Sequence, residues 1–257
     1  MKINYQSIGS GGGIRQVSEG TVDFGATDGP MNDQQIAESK VKTMHIPTVL
    51  GAVVPVYNLP GVSKELNFSG EVIADIYLGT ITKWNDPRIA KDNPGVNLPG
   101  SSILPVYRSD GSGTTYIFTD YLSKVSQNWQ SRVGKSTSVK WPTGIGQKGN
   151  EGIAGMVRQS PNSFGYVELI YALTNKMQFG TVRNADGKFL KATPDGVTAA
   201  AVSGTRLPAA GHRDMILPSG CCWLSARRSS SSCQLPDSQR PRIFPQSRLS
   251  VTVQGAG

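Results

Sequence analysis

Arg108-Ser109-Asp110-Gly111-Ser112-Gly113-Thr114-Thr115 joins two patterns of different period. Before it, Ile103-Leu104-Pro105-Val106-Tyr107 reads as a short apolar strand. After it, Ile117, Phe118, Tyr121, Leu122 and Val125 recur at helical spacing. A tight glycine-containing turn therefore delivers the chain from a strand end into a helix N-terminus. The first N–H groups of such a helix lack intrahelical partners and carry the positive end of its dipole. Glycines permit close backbone approach, Ser112 and Thr114 add hydroxyl donors, and Arg108 adds a planar, permanently charged fork. That chemistry describes an anion cradle. A strand–turn–helix corner with solvated polar residues fits the same letters.

The logic recurs upstream. Residues 2–8 alternate as a strand, Gly9-Ser10-Gly11-Gly12-Gly13 follows as a loop, and residues 14–19 form a short helix with Ile14 and Val17 inward, closed by Gly20. Residues 22–26 predict a strand that ends at Thr27-Asp28-Gly29-Pro30, and Asn32 or Asp33 caps a helix through Glu38. Residues 44–57 have the β-branched, apolar composition of a buried parallel strand pair, with Pro55 marking a bend or an edge. Ser69 opens a helix whose face is Val72, Ile73, Ile76 and Tyr77, and Gly79 stops it. Asn150 is placed to cap a helix reaching Arg158, and residues 164–168 read as another strand. Alternating strands and helices predict an α/β fold with mostly parallel sheets.

At 257 residues and 37% hydrophobic, the chain suits one large or two small domains. The net charge of +8 is unevenly spread: residues 1–200 hold 19 Lys/Arg against 16 Asp/Glu, whereas residues 201–257 hold 7 against 2. All 13 lysines lie in the first part, and the second lacks Glu, Asn and Tyr but holds Cys221, Cys222, Cys233 and Ser229-Ser230-Ser231-Ser232. So many simultaneous changes favour a stretch translated in a shifted frame over a disordered Arg/Ser/Pro-rich tail. Its arginines form no periodic basic face and only Trp223 and Phe244 stand among them, so nucleic acid is not an expected partner. Residues 1–200 contain no Cys and one His, His45, which excludes Cys nucleophiles, Ser-His-Asp triads and multi-His metal sites there. His45 reads as a partly buried structural residue. No apolar run has the length of a membrane span, and no signal peptide is read ahead of the fold.

Familiar signatures fail on inspection. Gly9–Gly13 lacks the third Gly of a dinucleotide fingerprint, and Gly149 is followed by Asn150 where a nucleotide P-loop needs Lys. Asp23-Phe24-Gly25 stands without the other kinase motifs, and Ser112 lacks nucleophile-elbow spacing. Binding equipment is present without a general base. The expectation is a non-enzyme with no catalytic residue, no metal and no cofactor.

Five stretches then occur in order: Gly9-Ser10-Gly11-Gly12-Gly13; Val22-Asp23-Phe24-Gly25-Ala26-Thr27-Asp28; Asp75-Ile76-Tyr77-Leu78-Gly79 with Trp84-Asn85-Asp86; the cradle from Arg108 to Thr114; and residues 146–152 with Gly165-Tyr166-Val167-Glu168. Over about 200 residues they resemble the substrate-binding proteins of bacterial high-affinity phosphate ABC transporters, the PstS family. The resemblance implies an α/β, two-lobed periplasmic-binding-protein-like fold of type II, hinged around one phosphate. It implies partial lobe one over 1–50, lobe two over 51–200, and a non-family tail over 201–257, with lobe one incomplete. The phosphate-binding residues it implies are Ser10, Gly11 and Asp28 from lobe one and Arg108, Ser112, Gly113 and Thr114 from lobe two. Asp28 would accept a hydrogen bond from protonated phosphate and reject sulfate, which carries no proton; it also reads as an ordinary turn residue. Asp110 would hold Arg108, or cap the following helix. The implied partners are inorganic phosphate and ABC permease subunits, for a monomer in the periplasm or at the cell surface. A phosphatase-like hydrolase using Ser112 or Asp110, and a protein for another oxyanion such as sulfate or molybdate, remain the alternatives.

Overall fold

Gly51–Asn58 and Ser163–Glu168 show why the molecule has two cores. Their side chains alternate across the sheet: Val53, Tyr57, Phe164 and Tyr166 enter one core, and Val54, Val56 and Val167 enter the other. The computed structural model describes residues 3–46, 49–203, 224–225 and 251–254. In chain order, the elements begin with α1 (Gly9–Ser18), β1 (Phe24–Ala26), α2 (Asp33–Ala37) and β2 (Thr43–Ile46). Next come β3 (Gly51–Asn58), β4 (Asn67–Phe68), α3 (Gly70–Tyr77), α4 (Pro87–Asp92), β5 (Leu104–Arg108), α5 (Gly113–Val125) and α6 (Gln127–Arg132). Then follow β6 (Ile145–Gln147), α7 (Gly149–Gln159), β7 (Ser163–Glu168), α8 (Leu169–Thr174), β8 (Gln178–Phe179), β9 (Thr181–Arg183), β10 (Phe189–Leu190) and α9 (Pro194–Ser203). The last two described segments are β11 (Leu224–Ser225) and β12 (Val251–Gln254).

The main sheet runs β11-β3-β7-β5-β6, with β8 also on β3. Helices α3 and α5 pack over one face, where Phe68, Tyr77, Trp84, Phe118, Phe164 and Tyr166 interlock. Helices α7 and α8 cover the other face through Ile153, Ala154, Val157, Leu169 and Ala172. This is the larger lobe. In the smaller lobe α1 packs on β1, and β12 lies between β1 and β2.

Several expectations change. The predicted mostly parallel arrangement is mixed: β5 runs parallel to β6 and β7, but β3 is antiparallel to β7 and β8. Residues 44–57 are therefore not a parallel pair. They split into β2 and β3, which join different sheets, and pairing direction depends on partners far along the chain. Residues 3–8 form no strand, because none of the described strands pairs with them. The glycines 9–13 belong to helix α1 rather than to a loop. Past residue 200, β12 pairs with both β1 and β2. The cysteines, the serine run and the remainder of 204–257 lie outside the described residues, and so does the shifted-frame reading. Other expectations hold locally. Asn32 caps α2 in a reciprocal capping box, and Gly20 and Gly79 follow α1 and α3 at positive φ of 70° and 75°.

Candidate functional site

Arg108 is the last residue of β5, and Ser112 is the N-cap of the 13-residue helix α5. Its Oγ accepts a hydrogen bond from the Thr115 N–H at 3.1 Å, so the Ser112 hydroxyl hydrogen remains available to a ligand. Between them, Asp110 turns back onto Arg108. The guanidinium Nε donates to Oδ1 at 2.7 Å and Nη2 donates to Oδ2 at 2.6 Å. The Gly149 N–H adds a third bond to Oδ1 at 3.2 Å. Burial alone would raise the Asp110 carboxyl, but the bonds and charge of Arg108 outweigh it and hold the carboxyl below its ordinary range. Burial likewise works against the Arg108 charge, and Asp110 more than restores it. Arg108 is thus a fixed cation, only 6% exposed. Asp110 does not cap α5; Ser112 does.

Lobe one meets this cradle backbone to backbone. The Gly11 N–H donates to the Gly111 C=O at 3.0 Å, while within lobe one the Asp28 N–H donates to the Ser10 Oγ at 3.1 Å. The approach is so close that a Cβ on Gly113 would lie 2.4 Å from Ser10 Oγ and 2.5 Å from Asp28 Oδ2. Ser10, Asp28, Arg108, Asp110, Ser112, Gly113 and Thr114 all line one cavity of about 680 Å³. Gly11 is not among the residues that line it, and its N–H is taken up by Gly111.

Three further residues were not singled out as site residues from the sequence. Glu168, at the end of β7, accepts from Thr114 Oγ1 and from Asn150 Nδ2, each at 3.3 Å. Asn150 is a buried residue inside α7, and Lys148 holds the N-cap position it was expected to take. Its Oδ1 is buried and has no partner among the described residues. Tyr166 presents its hydroxyl to the Arg108 N–H at 3.1 Å and to Thr115 Oγ1 at 2.6 Å. A lone acidic residue closing the apolar strand Phe164-Gly165-Tyr166-Val167 was the available signal for Glu168. Nothing local marks Tyr166 or Asn150. His45 is tied into lobe one, where its Nε2 accepts from the Met31 N–H at 3.2 Å. No histidine or cysteine lines the cavity among the described residues. No group of three or more His, Cys, Asp or Glu among them is arranged to hold a metal.

Residues 1–212 match the PBP superfamily domain. The phosphate-binding protein PstS of Pasteurella multocida is 50% identical over 203 residues, covering 79% of this chain and 58% of that protein. The phosphate-binding protein PstS3 of Mycobacterium bovis is 31% identical over 274 residues, covering 99% of this chain and 73% of that protein. In fold, the chain is similar to a phosphate ABC transporter substrate-binding protein from Clostridium perfringens solved with bound phosphate. That likeness has a TM-score of 0.56 at 21% identity, over 76% of this chain and 67% of the other. The chain spans little more than half the length of several curated relatives, 58% and 55% of the first two. With an α/β body, two lobes meeting at Gly11 and Gly111, and these relatives, the chain belongs to the PBP superfamily and within it to the PstS family of phosphate-binding proteins.

Proposed function

We propose that the chain binds inorganic phosphate between its lobes for delivery to an ABC-type permease, outside the cytoplasm, and that it is a binding protein rather than an enzyme. The observation that carries this reading is the Arg108–Asp110 pair beside the start of α5. Asp110 holds Nε and Nη2, which orients the guanidinium and leaves Nη1 as the edge for a ligand oxygen. Ser112 and Thr114 supply hydroxyls, and the first N–H groups of α5 supply the positive end of a helix dipole. Ser10 and Asp28 close over the ligand from lobe one. Asp28 accepts a hydrogen bond from the protonated oxygen that phosphate carries at neutral pH and penalises sulfate, which has none. This assigns Ser10, Asp28, Arg108, Ser112, Gly113 and Thr114 to the ligand, Asp110 to holding Arg108, and Gly11 to the contact between lobes. The named relatives, all phosphate-binding proteins, support the same ligand. On this reading residues 1–50 belong to lobe one and residues 51–200 form lobe two.

The test is calorimetric titration of the 257-residue chain with phosphate and, separately, with sulfate at neutral pH. Saturable heat with phosphate and none with sulfate at the same concentration is expected. No heat with phosphate overturns the reading, and turnover of an aryl phosphate by the purified chain would restore the hydrolase in its place.

A further inference from the structure

β5 and β7 pair as backbone only at Leu104 with Ser163 and at Pro105 with Phe164. Beyond that point β5 stays paired with β6, and two tyrosine hydroxyls bond its backbone as well. Tyr77 donates to the Val106 C=O at 3.0 Å, and Tyr166 accepts from the Arg108 N–H at 3.1 Å. Both tyrosines are fully buried in the same aromatic cluster. They differ in one respect. Tyr166 also bonds Thr115 Oγ1 at 2.6 Å, and Thr115 lies in the first turn of α5, where its own N–H is held by the Ser112 cap. One oxygen therefore spans the strand end that carries the cation and the helix start that carries the hydroxyls and N–H groups.

We propose that the Tyr166 hydroxyl sets the geometry of the anion cradle, acting as a positioning residue that ties the end of β5 to the first turn of α5. The inference rests on the phosphate reading above. The tie is stiff because the ring cannot move: it stacks on Phe118 at 4.1 Å and 10°, and Trp141 lies at 5.8 Å. Burial raises the phenol's pKa, so the hydroxyl keeps its hydrogen and joins both partners as a neutral group. An oxyanion bound by Arg108 and by the start of α5 needs both sets of donors at fixed separation, since misplaced donors lose bond strength steeply.

The experiment compares Tyr166→Phe with Tyr77→Phe in the 257-residue chain. Each removes one buried hydroxyl from the same core, and only the first touches the cradle. At a temperature where both variants are folded, Tyr166→Phe is expected to weaken phosphate binding about tenfold, the effect of one hydrogen bond to the site. Tyr77→Phe should leave the affinity within about twofold, with a comparable loss of melting temperature. In hydrogen exchange without ligand, the Arg108 amide and the first turn of α5 should exchange faster in Tyr166→Phe alone. Equal changes in affinity and exchange in the two variants would overturn the proposal and make Tyr166 a packing residue. If the unsubstituted chain binds no phosphate, the functional reading fails while the exchange arm still decides the positioning role: unchanged protection at Arg108 overturns it. Should Tyr166→Phe fail to fold, Thr115→Val severs the same tie from the helix side and is judged by the same two readouts.

Discussion

Helices α1 and α5 both start on glycine at the meeting of the lobes, but only α5 rises from inside a sheet. β5, which leads into α5, has β7 on one side and β6 on the other, and Ser112 caps the helix through its side chain. α1 follows residues 3–8, which form no strand, and its N-cap Ile8 makes no side-chain bond. Its glycines serve closeness instead. A Cβ on Gly13 would lie 2.3 Å from the Ala26 carbonyl oxygen, and one on Gly11 would lie 3.1 Å from the Gly111 Cα. Charge and fixed geometry come from the larger lobe, where a two-sided core holds each element. Close approach comes from the smaller lobe, where absent side chains let backbones touch.

The comparison breaks most easily at Arg108. Arg108→Ala removes the fixed cation and leaves Asp110 without its partner, so phosphate binding should weaken by at least about tenfold in calorimetry. An unchanged affinity would shift the charge contribution away from the larger lobe. Next come two glycines with opposite surroundings. Gly113→Ala presses a methyl against the side chains of Ser10 and Asp28, which separates the lobes and should weaken binding about tenfold with a small change in melting temperature. Gly13→Ala presses the same methyl against backbone that cannot yield, so it should destabilise lobe one by about 1–3 kcal/mol, read by thermal unfolding. If the two variants behave alike, the division between closeness and rigidity is wrong.

Asp28→Asn sharpens the contribution of lobe one to selectivity. The amide still pairs with phosphate, so phosphate affinity should stay within about an order of magnitude. Sulfate competition should rise far more, because the like-charge penalty is gone. Equal sulfate exclusion by both proteins would make Asp28 a turn residue. The smallest effect concerns pH. The folded Asp110 carboxyl lies below its ordinary value of 3.8, so its contribution to stability is complete above that value and is lost as pH falls through the lowered one. Acid unfolding below about pH 4 should therefore be less steep in Asp110→Asn than in the unsubstituted chain, as followed by circular dichroism.

Local chemistry was legible wherever it acts within a few residues. The change from strand to helical period across Arg108–Thr115 is visible because side-chain spacing follows backbone geometry directly. So are the Asn32 cap and the stops at Gly20 and Gly79, each of which answers to the ends of one helix. The candidate site was legible to the same depth. Ser10, Asp28, Arg108, Ser112, Gly113 and Thr114 lie in short motifs and do meet in one cavity.

What was hidden depends on partners distant in the chain. Glycine costs about 1 kcal/mol in a helix relative to Ala, so Gly9–Gly13 reads as a loop until Ala26 and Gly111 arrive to require it. Whether β3 runs parallel or antiparallel to β7 is invisible in either strand, because both directions bury the same alternating side chains. Asn150 is an ordinary cap by its letters and becomes a buried bridge only once Thr114 and Glu168 stand beside it. Tyr166 is an apolar strand residue by its pattern. Its hydroxyl acquires a role through Arg108, 58 residues away, and Thr115, 51 residues away. Spacing along the chain encodes which face a side chain takes. Which polar group that face will meet is settled by packing, since a buried hydroxyl or amide must find its partner wherever the fold brings one.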